Sequence, residues 1–165
     1  MAKTLKKTAT KSKSASKVTA TSKKTAPKKA KKAPAKTAVK PRKKKALSEE
    51  VRSELQAAAI KLLQDAKATN IVSLDLRQID DAVADFFIIC QGDATTHIRS
   101  IATRLEEEIK TQLNEKPWHI EGLENLEWVI VDYVNVVIHI FNRDARDFYK
   151  LEDLWSDAER KEYAS

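Results

Sequence analysis

The sequence predicts an α/β domain of the α+β kind, a mixed sheet of about five strands flanked by helices, preceded by a disordered basic tail. Three observations carry this reading. Charge divides sharply along the chain: residues 1–46 hold 18 of the 31 Lys and Arg and no acidic residue, whereas the other 13 basic residues share 47–165 with all 24 Asp and Glu, so a +18 segment precedes a −11 body. Apolar residues recur with helical spacing in some segments and in short strand-like runs in others, interspersed along the chain. The body is also long enough to enclose one hydrophobic core.

The tail, 1–46, is made almost wholly of Lys, Ala, Thr, Ser and Pro, with Leu5, Val18 and Val39 its only large aliphatic residues after Met1. It cannot bury enough apolar surface to offset about 1–2 kcal/mol of ordering entropy per residue. Pro27, Pro34, Pro41 and lysine self-repulsion are expected to keep it extended. Such a polycation binds phosphate backbones without reading sequence, so Lys28, Lys29, Lys31, Lys32, Lys43, Lys44 and Lys45 are candidates for nonspecific nucleic-acid contact. A merely solubilising extension is the alternative. One arginine and no apolar face argue against an organelle transit peptide, and neither a secretory apolar core nor a membrane span of about 18 apolar residues is present.

In the body, 47–157, Ser48 is a candidate N-cap for a helix over 48–67, with Glu49 and Glu50 in its first turn and Val51, Leu55, Ala58, Leu62 and Ala66 on one stripe. Ile71–Leu76 reads as a strand, and the unbroken apolar run Phe86–Cys90 as a strand covered on both faces. Their short connection predicts an antiparallel pair. Gly92-Asp93 breaks the run, and Ile98, Ile101, Ala102, Leu105, Ile109 and Leu113 mark a second helix capped by Asp93 or Thr95. After Pro117, Trp118–Ile120 is extended; Trp128–Val131 and Val136–Phe141 then form a hairpin whose turn, Tyr133–Asn135, places a positive φ at Asn135. Asn142 caps a short last helix bearing Arg146, Phe148, Tyr149, Leu151, Leu154 and Trp155, and 158–165 is read as a C-terminal tail.

Four strings in this order resemble one family: Asp85-Phe-Phe-Ile-Ile-Cys-Gln-Gly92 with Thr96-His-Ile98 and Ile101-Ala102; Glu127-Trp-Val-Ile-Val-Asp132; Val137-Ile-His-Ile-Phe141; and Arg146-Asp-Phe-Tyr-Lys-Leu-Glu-Asp-Leu-Trp155. Over residues 48–157 the chain is similar to the RsfS/Iojap ribosomal silencing factors. The resemblance implies a nucleotidyltransferase-like fold without catalytic residues. It also implies binding to the large ribosomal subunit through large-subunit ribosomal protein fourteen at the intersubunit face, which blocks small-subunit joining and represses translation under nutrient limitation. The sequence departs from the usual pattern with Tyr133-Val-Asn135, where the hairpin often carries Gly, and with Asp93-Ala94, where Ser or Thr is common.

The competing classes are a nucleotidyltransferase-like enzyme and a nucleoid or DNA-binding protein acting through the tail. Nucleotidyl transfer needs an Asp-x-Asp pair on one strand face to hold divalent metal; Asp80 and Asp81 are adjacent, Asp132 stands alone, and Glu106–Glu108 form a helical solvated face. Two glycines, Gly92 and Gly122, make no phosphate cradle. His97, His119 and His139 lack partners at ligand spacing and are read as structural or surface residues, and the lone Cys90 lies in an apolar run. No catalytic residue, metal site or cofactor is therefore expected. An acidic body without a basic helix-turn-helix face argues against sequence-specific DNA recognition.

Candidate partner-binding residues are Trp128, Ile130 and Asp132, which share one strand face, and Arg146 and Tyr149, one helical turn apart. Periodicity alone leaves Trp128 open between core and interface, and Arg146 with Tyr149 between interface and a packing cluster with Trp155. The resemblance places the Trp128 position on the ribosomal-protein side. An acidic body suits a basic ribosomal protein, and the tail suits nonspecific rRNA contacts. A cytoplasmic location is expected, no membrane partner is, and the sequence leaves monomer or homodimer open.

Overall fold

The computed structural model of the chain describes residues 48–164. The seven tail lysines named above lie outside them. Ser48 caps α1 (Glu49–Asp65), accepting the Val51 N–H, as its position before two glutamates predicts. β1 (Thr69–Asp75) and β2 (Phe86–Gln91) follow, then α2 (Thr95–Leu113), β3 (His119–Glu121), β4 (Trp128–Asp132), β5 (Val136–Phe141), α3 (Arg143–Tyr149), α4 (Leu151–Leu154) and β6 (Glu159–Tyr163). The strands make one mixed sheet in the order β3-β4-β5-β2-β1-β6. β1 and β2 are antiparallel, as their short connection predicts. β2 and β5 form the parallel pair at the centre, reached through α2 and the β3–β4 hairpin.

Alternation along the strands divides the core in two. Phe86, Ile88 and Cys90 with Val129, Val131, Val136, Ile138 and Ile140 face the apolar stripes of α1 and α2. Phe87, Ile89, Val72, Leu74, Val137 and Phe141 face the other way, beneath Ala145 of α3, Leu151 of α4 and the 76–84 connection. β2 is thus buried from Phe86 to Cys90, the condition its unbroken apolar run predicts. Tyr133 donates its hydroxyl to the Leu105 carbonyl at 3.2 Å inside the helix-covered core, where burial raises the phenol's pKa. At the α1 end, Arg77 joins Asp75 to Glu49, and its hydrogen bonds hold the Asp75 carboxyl below the usual carboxylate range.

Four expectations change. The C-terminal tail is a sixth strand: β6 pairs antiparallel with β1, Tyr163 brings its hydroxyl 3.3 Å from that of Ser73, and Gln64 donates to the Ala164 carbonyl at 2.7 Å. Backbone pairing at a sheet edge tolerates the charged sequence Glu-Arg-Lys-Glu that hides it from an apolar count. The N-cap of α2 is Ala94, without a side-chain cap bond; the Asp93 N–H instead meets His97 Nδ1 at 3.3 Å, while His97 Nε2 lies 2.8 Å from the Ala66 carbonyl and ties the helix to the end of α1. The last helix is broken into α3 and α4 by Lys150, at φ 43°. In the hairpin the positive φ falls on Val134, at 73°, not Asn135. Asn135 is buried and donates its carboxamide N–H to Asp85 at 2.6 Å, so the side chain that would suit the turn is used to fix the start of β2.

Candidate partner-binding face

β4 and β5 build the face that α1 and α2 do not cover. Trp128, Ile130 and Asp132 project from β4, and the register sets Phe141, His139 and Val137 of β5 directly opposite them. Trp128 stacks on Phe141 with centroids 4.9 Å apart and planes 24° apart, and Tyr149 of α3 meets the same indole at 4.9 Å. Its Nε1–H donates to His139 Nδ1 at 3.2 Å. Trp128, Ile130, Tyr149 and Trp155 are half-buried, packed on the second core from the solvent side. Beyond them Phe148 is 69% exposed, its ring edge-on to Tyr149 at 5.1 Å. The arrangement is a rigid ring platform with an exposed apolar margin, the combination that supplies contact area at low entropic cost.

His139 is the polar exception within it. The imidazole is 5% exposed, and Phe87 meets it edge-on at 4.7 Å. Desolvation lowers its pKa to about 3, so the ring is neutral at physiological pH. Accepting from Trp128 requires a lone pair on Nδ1 and hence the proton on Nε2. That Nε2 is buried and has no hydrogen-bond partner. An unsatisfied buried donor costs on the order of 1–3 kcal/mol.

The five sequence-predicted residues do not all gather. Trp128, Ile130 and Tyr149 share the platform. Asp132 stands at its end, where Oδ1 accepts the Val134 N–H at 2.6 Å and shapes the turn. Arg146 turns elsewhere: its guanidinium bonds Glu152 at 2.5 Å and the Asn70 carbonyl at 2.8 Å, with both charged side chains 12% exposed. It braces α3 and α4 against β1. Sequence reasoning missed His139, Phe141 and Phe148 as members of the platform. Strand parity opposite Trp128 carried the signal for the first two. The signal for Phe148, exposure near the end of α3, is absent from periodicity.

Gly122 supports the platform from behind its backbone. It sits at φ 85°, and a Cβ there would lie 2.0 Å from the Trp128 carbonyl oxygen, so the chain between β3 and β4 can approach β4 only with glycine. Cys90 is fully buried and its thiol pKa is pushed up to about 12, which leaves it an inert core residue. Among the described residues no three His, Cys, Asp or Glu side chains come together as a metal site would require, and no helix is long and apolar enough to cross a membrane.

A sheet sealed by helices on one side and faced with packed rings on the other defines an α+β domain. A profile of the family described as "Ribosomal silencing factor during starvation", RsfS, matches residues 48–165. The ribosomal silencing factor RsfS of Halalkalibacterium halodurans is 38% identical over 105 residues, which span 64% of this chain and 88% of that protein. A crystal structure of a Chromobacterium violaceum protein superposes with a TM-score of 0.60 at 27% identity, covering 68% of this chain and 92% of that one. A more distant relative, the mouse protein named "Mitochondrial assembly of ribosomal large subunit protein 1", is 32% identical over 74 residues, 44% of this chain and 32% of its own length. The chain belongs to the RsfS family of ribosomal silencing factors.

Proposed function

We propose that the domain docks through its ring platform on the large ribosomal subunit, against large-subunit ribosomal protein fourteen at the intersubunit face. There it blocks joining of the small subunit and lowers translation when nutrients are scarce. The observation that carries the reading is the platform itself: half-buried Trp128, Ile130 and Tyr149 continue outward into the exposed Phe148. Exposed apolar area of this kind on a small domain marks a contact surface. Membership of a silencing family supports the role, and the name of the mouse relative supports the large subunit as the particle bound. The −11 body suits a basic ribosomal protein. Trp128, Ile130 and Tyr149 are the anchors, Asp132 and the exposed Asp144 and Asp147 lie outside the apolar centre, and Arg146 holds α3 in place for Tyr149. The site of action is the cytoplasm, where free subunits exchange.

Sedimentation of the full chain with purified subunits tests the reading. Co-migration with large subunits is expected; migration with small subunits alone, or with neither, sinks it. Trp128→Ala is expected to weaken binding by about 2 kcal/mol, the scale of a hot-spot truncation, with the circular dichroism spectrum retained. Residues 1–46 are assigned nonspecific rRNA contacts through Lys28, Lys29, Lys31, Lys32, Lys43, Lys44 and Lys45. Deleting them should lower affinity and flatten its dependence on salt, since each phosphate contact adds to the slope of log affinity against log salt. Parallel lines for full and truncated chains would leave the segment a solubilising extension.

A further inference from the structure

We infer that His139 is a positioning residue for docking: by accepting the Trp128 Nε1–H it fixes the indole in the orientation that the partner meets. The inference rests on the docking reading above and deepens it. Three observations carry it. The bond runs across the β4–β5 pair, from Trp128 Nε1 to His139 Nδ1 at 3.2 Å, and not between sequence neighbours. His139 is itself held, lying edge-on to Phe87 at 4.7 Å, paired across the strands with Ile130, and 5% exposed. Its other nitrogen, Nε2, is buried without a partner.

The third observation separates a positioning role from a structural one. A residue selected for packing alone at this point of an apolar face would be a leucine or phenylalanine, which leaves no donor unsatisfied. Imidazole carries a cost to the fold here, and what it provides in return is an acceptor for the indole. The Phe141 stack and the Tyr149 contact flank the indole, but neither names which way its N–H points; the hydrogen bond does. An anchor already fixed in its bound orientation loses less entropy on docking, so affinity rises without any contact between His139 and the partner. Burial keeps the ring neutral, so Nδ1 remains an acceptor throughout the physiological range.

The test uses the full chain carrying His139→Leu or His139→Asn, with three readouts. These are resistance to urea, the Trp128 indole N–H resonance assigned through Trp128→Phe, and co-sedimentation with purified large subunits. His139→Leu is expected to be at least as resistant to urea as the parent, to lose the hydrogen-bonded shift and exchange protection of the indole, and to bind large subunits about tenfold more weakly. His139→Asn, whose carboxamide oxygen sits near the Nδ1 position, should restore part of the indole signature and part of the affinity. Parental affinity in His139→Leu overturns the inference, as does an indole resonance that shows no hydrogen bond in the parent. Failure of His139→Leu to fold overturns it too, since the imidazole would then be a core requirement. A parent that binds no large subunit yet shows the bonded indole marks the docking reading as the part that failed, and removes the functional half of this inference with it.

Discussion

On the side of the sheet turned to α1 and α2, Ile88, Val129, Val131, Ile138 and Ile140 are 0% exposed. On the other side Trp128 and Ile130, from the same hairpin, remain half open. The strands are apolar on both faces, so their composition does not decide which becomes core. Coverage does. Helices of 17 and 19 residues seal one face, whereas α3 and α4, of 7 and 4 residues and broken at Lys150, leave the other incompletely roofed. Tyr133 finds the Leu105 carbonyl in the sealed core, the open face keeps a histidine whose Nε2 has no partner, and Asn135 Oδ1 at the hairpin turn is likewise buried without one. A sealed face is built for stability, and the open one carries the surface proposed to meet a partner.

The comparison breaks if matched truncations on the two faces cost the same. Ile138→Ala, in the sealed core, is expected to destabilise by about 2–5 kcal/mol, whereas Ile130→Ala on the platform should cost under about 1 kcal/mol because its surroundings are already half solvated. Urea denaturation of both variants decides it, and equal losses would make the platform an ordinary part of the core. Acid sharpens the contrast further. His139 has a folded pKa of about 3 against an ordinary 6.5, so the folded state disfavours its proton. Its contribution is complete above about pH 6.5 and lost as pH falls toward 3, at roughly 1.4 kcal/mol per unit. Asp75, lowered from 3.8 chiefly by its Arg77 hydrogen bonds, acts in the same direction but below pH 4. Stability should therefore decline between pH 6 and 4 in the parent and be flat there in His139→Leu; parallel profiles would show that the ring is not buried neutral.

The sealed face was legible in the sequence and the open one only in part. The α1 and α2 stripes, the run at Phe86–Cys90, the hairpin and the shared parity of Trp128, Ile130 and Asp132 all follow from period and side-chain type. What escaped depends on where residues distant in sequence meet. Arg146 and Tyr149 are one helical turn apart, yet Arg146 finds Asn70 and Glu152 while Tyr149 finds Trp128, a parting that a helical wheel cannot express. β6 escaped because an edge strand is held by backbone bonds to β1 and needs no apolar signature. The misplaced positive φ has a similar origin. Asn135 suits the turn by type, but Asp85, fifty residues earlier in the chain, takes its side chain.

That turn supplies the smallest expected effect, and one that should touch neither face. The Asn135 N–H donates to the Tyr133 carbonyl at 2.9 Å across Val134, whose φ is 73°. An i to i+2 bond around a positive φ is the rare, strained hand of the γ-turn, and a β-branched residue is the worst suited to hold it. Strain of this kind costs about 1–3 kcal/mol, and replacing Val134 by Gly returns about 0.5–1 kcal/mol of it to backbone entropy in the unfolded chain. Val134→Gly should therefore stabilise the domain by about 0.5 kcal/mol in urea. Val134→Ala, which keeps a Cβ, should gain less. Because the Val134 N–H that donates to Asp132 Oδ1 is present in either variant, the carboxylate should stay in place and binding to large subunits should not change. A loss of stability in Val134→Gly would mean that the valine side chain contributes more packing than the turn costs. A loss of binding at unchanged stability would instead place the turn itself within the contact surface.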